Sequence, residues 1–280
     1  MFFPGAFSTV VRHFAQNPQD DFVFGDGDVI DEHGDVQWEW LSRPYDFSLL
    51  RSYHFAFNEF TNYIMQQAVF WRRRVHEKIG LLDPSLHYVM DYEYWLRAGQ
   101  AGLRMRHIPV KLGKFRLIAG TKSLSEPMVF WPEMLEVFRR YNSAEKMTPF
   151  FVCYLFNEGL HNGFDPDLLY RRKEVVLDRY SLLERWERAV LETKFENAYP
   201  KACLMLSNEA FLRGDTAQSK LLQQRAFSLS PFIRFHPLSL MLFAKRVLGR
   251  QLSLGLRKGW VLLLHQYRMR RHLYRYRGII

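Results

Sequence analysis

Leu81-Leu82-Asp83-Pro84-Ser85-Leu86-His87-Tyr88-Val89-Met90-Asp91-Tyr92-Glu93-Tyr94-Trp95-Leu96-Arg97 passes from a turn into a helix within a short span. Gly80, just ahead of it, is a helix terminator, because glycine enters the left-handed region without a Cβ penalty. Asp83-Pro84 initiates the next bend: the aspartate bonds its own backbone and the proline fixes φ. From Asp91 onward, Tyr94, Trp95 and Ala98 recur on one side of a short helix. Asp91 then falls in or beside the first turn, where unpaired N–H groups and the helix dipole favour a carboxylate. On these residues alone the stretch describes an N-capping aspartate with a packed aromatic face.

Three further blocks surround it in a fixed order. Gln66-Gln67-Ala68-Val69-Phe70-Trp71-Arg72-Arg73 precedes Gly80-Leu81-Leu82-Asp83, and Phe115-Arg116-Leu117 follows Met90-Asp91-Tyr92-Glu93-Tyr94-Trp95-Leu96. Taken together, residues 1 to 125 resemble the acceptor half of the family-2 glycosyltransferases, bacterial inverting enzymes of the GT-A fold. The resemblance implies that Asp91 matches the carboxylate that deprotonates the acceptor hydroxyl. It also implies that Gln66, Gln67, Glu93 and Trp95 shape the acceptor pocket, and that Arg116 and Lys122 face the donor's diphosphate. For Gln66 and Gln67, a pair of edge-strand amides bonding backbone is an equal alternative.

The resemblance has two departures. The family pattern Phe-Arg-Leu-His-x-Gly-Ser-Lys-Thr reads here Phe115-Arg116-Leu117-Ile118-Ala119-Gly120-Thr121-Lys122-Ser123. Ile118 stands where the family has a histidine at the metal–diphosphate end, and isoleucine neither ligates a metal nor donates to phosphate. By the same alignment Met1 falls just after the family's metal motif. A nucleotide-binding half of roughly a hundred residues is then expected ahead of it. Mn²⁺ or Mg²⁺ is the family's cofactor, and these departures argue against a metal site within this chain.

Length and composition set the bounds. The 280 residues, 48% apolar and 16% aromatic, suffice for a large core and exclude a disordered tail. Cys153 and Cys203 lie far apart without metal-type spacing and read as buried thiols in a reducing compartment. Met1-Phe2-Phe3-Pro4-Gly5 has neither the basic region nor the apolar run of a signal peptide. The formal charge is +10, and it is uneven. Ten of the 39 Lys and Arg, and none of the 29 Asp and Glu, lie between His236 and Ile280.

Along the chain, Phe7, Val10, Val11 and Phe14 recur at helical spacing up to Asn17-Pro18. Phe22-Val23-Phe24 reads as a buried strand leading into Gly25-Asp26-Gly27-Asp28-Val29-Ile30-Asp31. Two carboxylates one residue apart on a loop are a possible oxygen-ligand pair for a divalent ion. Turn formers are the preferred reading, because Asx side chains satisfy local backbone donors. His33-Gly34-Asp35 closes a hairpin onto Val36-Gln37-Trp38, and Ser42-Arg43-Pro44 breaks the chain before a helix over Phe47 to Tyr53. The segment through Trp71 is strand-like. Arg72, Arg73 and Arg74 open the next helix, either as a solvated face or as a diphosphate contact. Ile108-Pro109-Val110 and Leu112 to Leu117 are further strand material.

From Glu126 the pattern is helical: Trp131 to Tyr141, Pro149 to Glu158, Pro166 to Leu177 and Ser181 to Glu192. Ala198 to Leu212 and Thr216 to Leu229 form a hairpin about Gly214-Asp215. Its Ala202, Ala210, Gly214, Ala217, Ala226 and Pro231 resemble a single tetratricopeptide-type repeat. In the tail, apolar clusters alternate with Lys245-Arg246, Arg257-Lys258 and Arg268-Met269-Arg270-Arg271. No run reaches the ~20 apolar residues of a spanning helix. The mixture fits a helix lying on an anionic bilayer, with a solvated basic end as the alternative. No nucleic-acid recognition motif accompanies the charge.

The sequence therefore predicts an α/β protein. Residues 1–125 would be the acceptor half of a GT-A glycosyltransferase domain, 126–235 an α-helical region, and 236–280 a basic amphipathic tail. The function implied is transfer of a sugar from a nucleotide-diphosphate donor to a glycan acceptor hydroxyl, at the cytoplasmic face of the membrane. The competing class is a non-catalytic, membrane-associated helical interaction module that keeps a degenerate glycosyltransferase remnant.

Overall fold

A computed structural model of the chain describes residues 1–52, 62–118, 130–161, 163–178 and 185–255. It is a mixed α/β protein with one four-stranded mixed sheet and many helices. The chain divides into two compact units, Met1–Phe150 and Phe151–Ile280.

Strand β1 (Phe22–Ile30) is the axis of the first unit, and every one of its residues is buried. One edge pairs along its length with β4 (Met105–Arg116) in parallel. The other edge is shared. Phe22, Val23 and Phe24 pair antiparallel with β3 (Val69–Trp71), and Gly27 to Ile30 pair antiparallel with β2 (Val36–Trp40). Helix α1 (Ala6–Gln16) covers one face, putting Ala6 and Val10 against Val23, Val29, Met65, Ala68, Ile108 and Leu112.

The sequence reading of Gly25-Asp26-Gly27-Asp28 as a turn is corrected here, since the segment is the middle of β1. A Cβ on Gly25 would run into the Val110 carbonyl oxygen, and one on Gly27 into the Gly113 carbonyl oxygen and Met65. The glycines admit close backbone approach rather than a bend. Asp26 accepts from the Ser42 N–H at 2.9 Å and lies 2.8 Å from His107 Nε2. Asp28 lies 2.7 Å from Lys111 Nζ. The turn comes at Asp31, whose Oδ1 accepts the N–H groups of His33, Gly34 and Asp35, with Gly34 at φ 95°. We expect Gly25→Ala to cost about 1–3 kcal/mol in urea denaturation, as overpacking against a backbone does.

Pro109 sits inside β4 without breaking it, because the pairing register jumps there. Phe24 faces His107, yet Asp26 faces Lys111, so residues 108–110 bulge out and proline has no ladder bond to lose. The stretch expected to be strand from Gln66 is shorter than predicted. Gln66–Ala68 is a 3-10 turn, and β3 begins only at Val69. Helix α2 (Phe47–Ser52) follows Pro44 as expected, and α3 (Arg73–Ile79) ends at Gly80 with φ 75°. Helix α4 (Met90–Gln100) carries Asp91, and α5 (Trp131–Tyr141) coincides with its predicted span. Helix α6 (Thr148–His161) contains the boundary between the units.

The second unit is helical: α7 (Pro166–Asp178), α8 (Arg185–Arg213), α9 (Thr216–Leu229), a 3-10 turn Pro231–Phe235 and α10 (Pro237–Leu248). Two expected helices merge here. The chain runs unbroken across residues 193 to 197, where the sequence reading placed an interruption, and Pro200 lies inside the helix. Gly214 at φ 95° turns it, and Asp215 caps α9 by accepting the Gln218 N–H at 2.9 Å. Ala202, Ala210 and Ala226 are buried between the hairpin helices, but Ala217 is exposed, so the repeat-like pattern is only partly a packing pattern. Cys153 and Cys203 are free and buried; burial raises both thiol pKa values, that of Cys203 to about 12. No helix among the described residues is long and apolar enough to cross a membrane.

Candidate active site

Asp91 is the second residue of α4, after Val89 at the cap and Met90. Its position satisfies the expectation of a carboxylate in the first turn, but it does not cap the helix. The N–H groups of His87, Tyr88 and Val89 instead donate to the Glu133 carboxylate at 3.0, 2.7 and 3.3 Å. A carboxylate from α5 thus fixes the turn that leads into α4, while Asp91 accepts an N–H of the first turn itself.

Its own contacts are few. Oδ1 accepts the Tyr92 N–H at 2.7 Å, and the Asn62 side-chain amide donates to Oδ2 at 3.4 Å. The side chain keeps partial solvent access, yet protein surrounds it densely. Burial raises its pKa above the usual carboxylate range, against the smaller lowering by Tyr92 and Asn62. The contrast with the fully buried carboxylates of the same unit is consistent. Asp20 lies 3.0 Å from His13, Asp21 2.8 Å from Arg74 and Glu93 2.7 Å from Arg97, while Asp26 and Asp28 face His107 and Lys111. Each has a basic partner, and among the described residues Asp91 has none. An unpaired carboxylate whose basicity is raised by burial is a strained group for the fold and a suitable one for taking a proton.

The other predicted site residues fare differently. Glu93 is turned roughly 200° round the helix from Asp91, since each residue advances about 100°. It is buried, gripped by Arg97 at 3.1 and 2.7 Å, and accepts the Tyr141 hydroxyl at 2.7 Å. Burial and the neighbouring Glu93 push the Tyr141 phenol up in turn. Arg97 also donates to the Ile79 and Leu81 carbonyls at 2.6 and 2.9 Å, fixing the turn ahead of α4. Glu93 holds the scaffold together and does not face an acceptor. Trp95 is 1% exposed and packs with Phe22, Trp71 and Tyr94 at ring distances near 6 Å, so it too belongs to the core.

Gln66 is exposed and Gln67 half-buried on their 3-10 turn, with the Gln67 backbone pressed against Gly113. Arg116 ends β4 and donates to the Glu32 carbonyl at 2.5 Å. Lys122 lies outside the described residues. The arginine run is mostly spoken for. Arg72 donates to the Asp20 and Phe14 carbonyls at 2.9 and 2.6 Å and covers the Phe14 ring, and Arg74 pairs with Asp21. Arg73 stays on the surface, 3.7 Å from Glu77, and Arg74 is exposed but paired, so two of the three arginines serve structural contacts.

Among the described residues no group of three or more His, Cys, Asp or Glu side chains comes together to hold a metal. The carboxylate pair Asp26 and Asp28, in the middle of β1, is engaged by His107 and Lys111. A divalent ion would have to displace these partners, so the pair does not fit one. Asn62, Glu133 and Tyr141, which position α4 and its carboxylate, escaped the sequence reading because each acts across a long sequence separation.

Fold and site together define a mixed α/β protein with a half-buried aspartate at the head of a core helix and no cation beside it among the described residues. No family model matches the chain, and no curated protein matches its sequence.

Proposed function

We propose that residues 1–125 are the acceptor-binding part of a GT-A-type glycosyltransferase, with Asp91 as the general base. The observation that carries the reading is the state of Asp91: in the helix's first turn, without a basic partner among the described residues and raised in pKa by burial. In this reading Asp91 takes the proton of an incoming sugar hydroxyl. The oxygen then attacks the anomeric carbon of a nucleotide-diphosphate sugar from the face opposite the leaving diphosphate, inverting the centre. Proton transfer at the attacking oxygen is worth roughly 10²–10⁴-fold in such reactions. Among the described residues no carboxylate cluster fits a divalent ion, and Asp91 acts on the acceptor hydroxyl directly.

The acceptor is a growing cell-surface glycan at the cytoplasmic face of the membrane, and the donor is held by a nucleotide-binding half outside this acceptor part. Gln66, with its exposed side chain, remains a candidate acceptor contact; Glu93 and Trp95 do not. Saturation-transfer NMR of the chain with bacterial cell-surface oligosaccharides tests the acceptor role. Transfer to sugar protons is expected to persist in Asp91→Asn, because the aspartate acts on the hydroxyl and the pocket holds the ring. Absence of transfer from any such glycan would favour the non-catalytic interaction module.

A further inference from the structure

We propose that the outward side of residues 232–252, formed by Phe232, Phe235, Leu240, Phe243, Val247 and Leu252, docks on the surface of an anionic lipid bilayer. The proposal is independent of whether Asp91 acts as a base.

Helix α10 is turned inside out relative to an ordinary surface helix, which buries its apolar stripe and presents its charges. Positions 239, 242 and 246, spaced by three and four, face the α8–α9 hairpin. Ser239 and Leu242 are buried, Leu242 against Phe211 and Leu212. Arg246 reaches back to Ser219 Oγ at 2.8 Å and to Gln223. Lys245 donates to Asn208 Oδ1 at 2.7 Å, and just beyond the helix Arg250 donates to the Leu212 carbonyl at 2.9 Å. Desolvation by this packing lowers the Arg246 pKa.

The opposite face is left to the apolar residues. Leu240, Phe243 and Val247 recur at three and four and are 56%, 67% and 72% exposed. The 3-10 turn just before them adds Phe232 at 85% and Phe235 at 77%. That turn is held by the Ser239 hydroxyl donating to the Ile233 carbonyl at 2.6 Å, so its two phenylalanines project from a fixed frame. Single exposed apolar residues need no explanation, but six strongly exposed ones within 21 residues, three of them on one helix face, do.

Charge identifies what covers them. After Asp215 the chain has no Asp or Glu through Ile280, against thirteen Lys and Arg. Arg234, exposed between the two phenylalanines and stacked 5.3 Å from the Phe227 ring, is one of them. A second copy of this chain would bring an equally basic surface to the same face, with no acid to answer it. An anionic bilayer answers both features, taking Phe, Leu and Val into the acyl boundary and Arg234 at the headgroups, while the sequence adds seven more Lys and Arg after residue 255 and no acid. A helix of 12 residues lies on such a surface and does not cross it.

The test is flotation of the full chain with vesicles of phosphatidylcholine alone, or with about one third phosphatidylglycerol, and with the triple variant Phe232→Ser, Phe235→Ser, Phe243→Ser. These side chains are exposed, so the melting temperature should stay near that of the parent. Parent protein is expected to float with the anionic vesicles and to retain part of its binding at high salt. The triple variant should bind at least ten times more weakly and lose the salt-resistant part. In Phe243→Trp, brominated lipid should quench the new indole. Equal flotation of parent and triple variant, or no quenching in Phe243→Trp, would overturn the proposal. So would a parent dimer that the triple variant dissolves and that ignores vesicles.

Discussion

Asp91→Asn is expected to lower sugar-transfer turnover by on the order of 10²-fold or more while leaving donor affinity nearly unchanged. The amide keeps the shape of the carboxylate and can still meet the Tyr92 N–H through its oxygen, but it cannot accept the acceptor's proton. The same substitution should stabilise the fold near neutral pH. Burial raises the Asp91 pKa, so the folded state binds a proton more tightly than the unfolded chain does. Stability contributed by this group is therefore lost as pH rises from the ordinary carboxylate value through the raised one, and does not return above it. Asparagine has nothing to ionise. Its melting temperature should exceed the parent's near pH 7 and converge with it in acid. Gain of stability with loss of activity is what a strained functional group produces. Loss of both would mark Asp91 as structural.

Trp95→Ala is expected to destabilise the protein by about 3–5 kcal/mol, as removal of a fully buried large aromatic side chain does. Its ring fills the space among Phe22, Trp71 and Tyr94. Around it, the Trp71 indole donates to His76 Nε2 at 2.9 Å, leaving Nδ1 to carry the proton shared with the Tyr94 hydroxyl at 2.9 Å. That hydroxyl donates onward to the Gly80 carbonyl at 3.0 Å. A cavity at Trp95 would loosen this chain of bonds and the turn that leads into α4. Trp95→Phe should be much milder. The Trp95 indole N–H is buried without a hydrogen-bond partner among the described residues, so phenylalanine removes a polar group that gains little from the fold. Chemical denaturation of the two variants measures both effects. An acceptor-facing tryptophan would give the opposite pattern, with lost glycan binding and little lost stability.

What the sequence made legible was local. Helices α4 and α5 follow from apolar spacing and clear stops, and Asp91 could be placed in a first turn by its neighbours alone. The hairpin at Asp31 to Asp35 and the glycine ends at Gly80 and Gly214 are likewise written in a few adjacent residues. Gly-Asp-Gly-Asp was misread because its local signal is a turn, while its partners His107 and Lys111 lie some eighty residues away on β4. Helix α8 runs on across residues 193 to 197, where two helices were expected, through the packing of Leu191, Phe195, Ala198 and Tyr199, which no local rule contains. The composition of α10 showed apolar and basic residues mixed. Only its packing on the hairpin showed the cations turned inward. Glu93 and Trp95 follow the same rule: a resemblance in sequence points to residues, and burial places these two in the core.

The pH dependence of kcat/KM for sugar transfer, compared between the parent and Asp91→Asn at saturating donor, tests the central claim most directly. The parent rate should climb with pH through one ionisation lying above the usual carboxylate range and then level off, because the base works only when deprotonated and burial delays that step. The residual rate of Asp91→Asn should lack that limb. An Asp91→Asn enzyme that keeps both the parent's rate and its acid limb would contradict the assignment and place the base elsewhere.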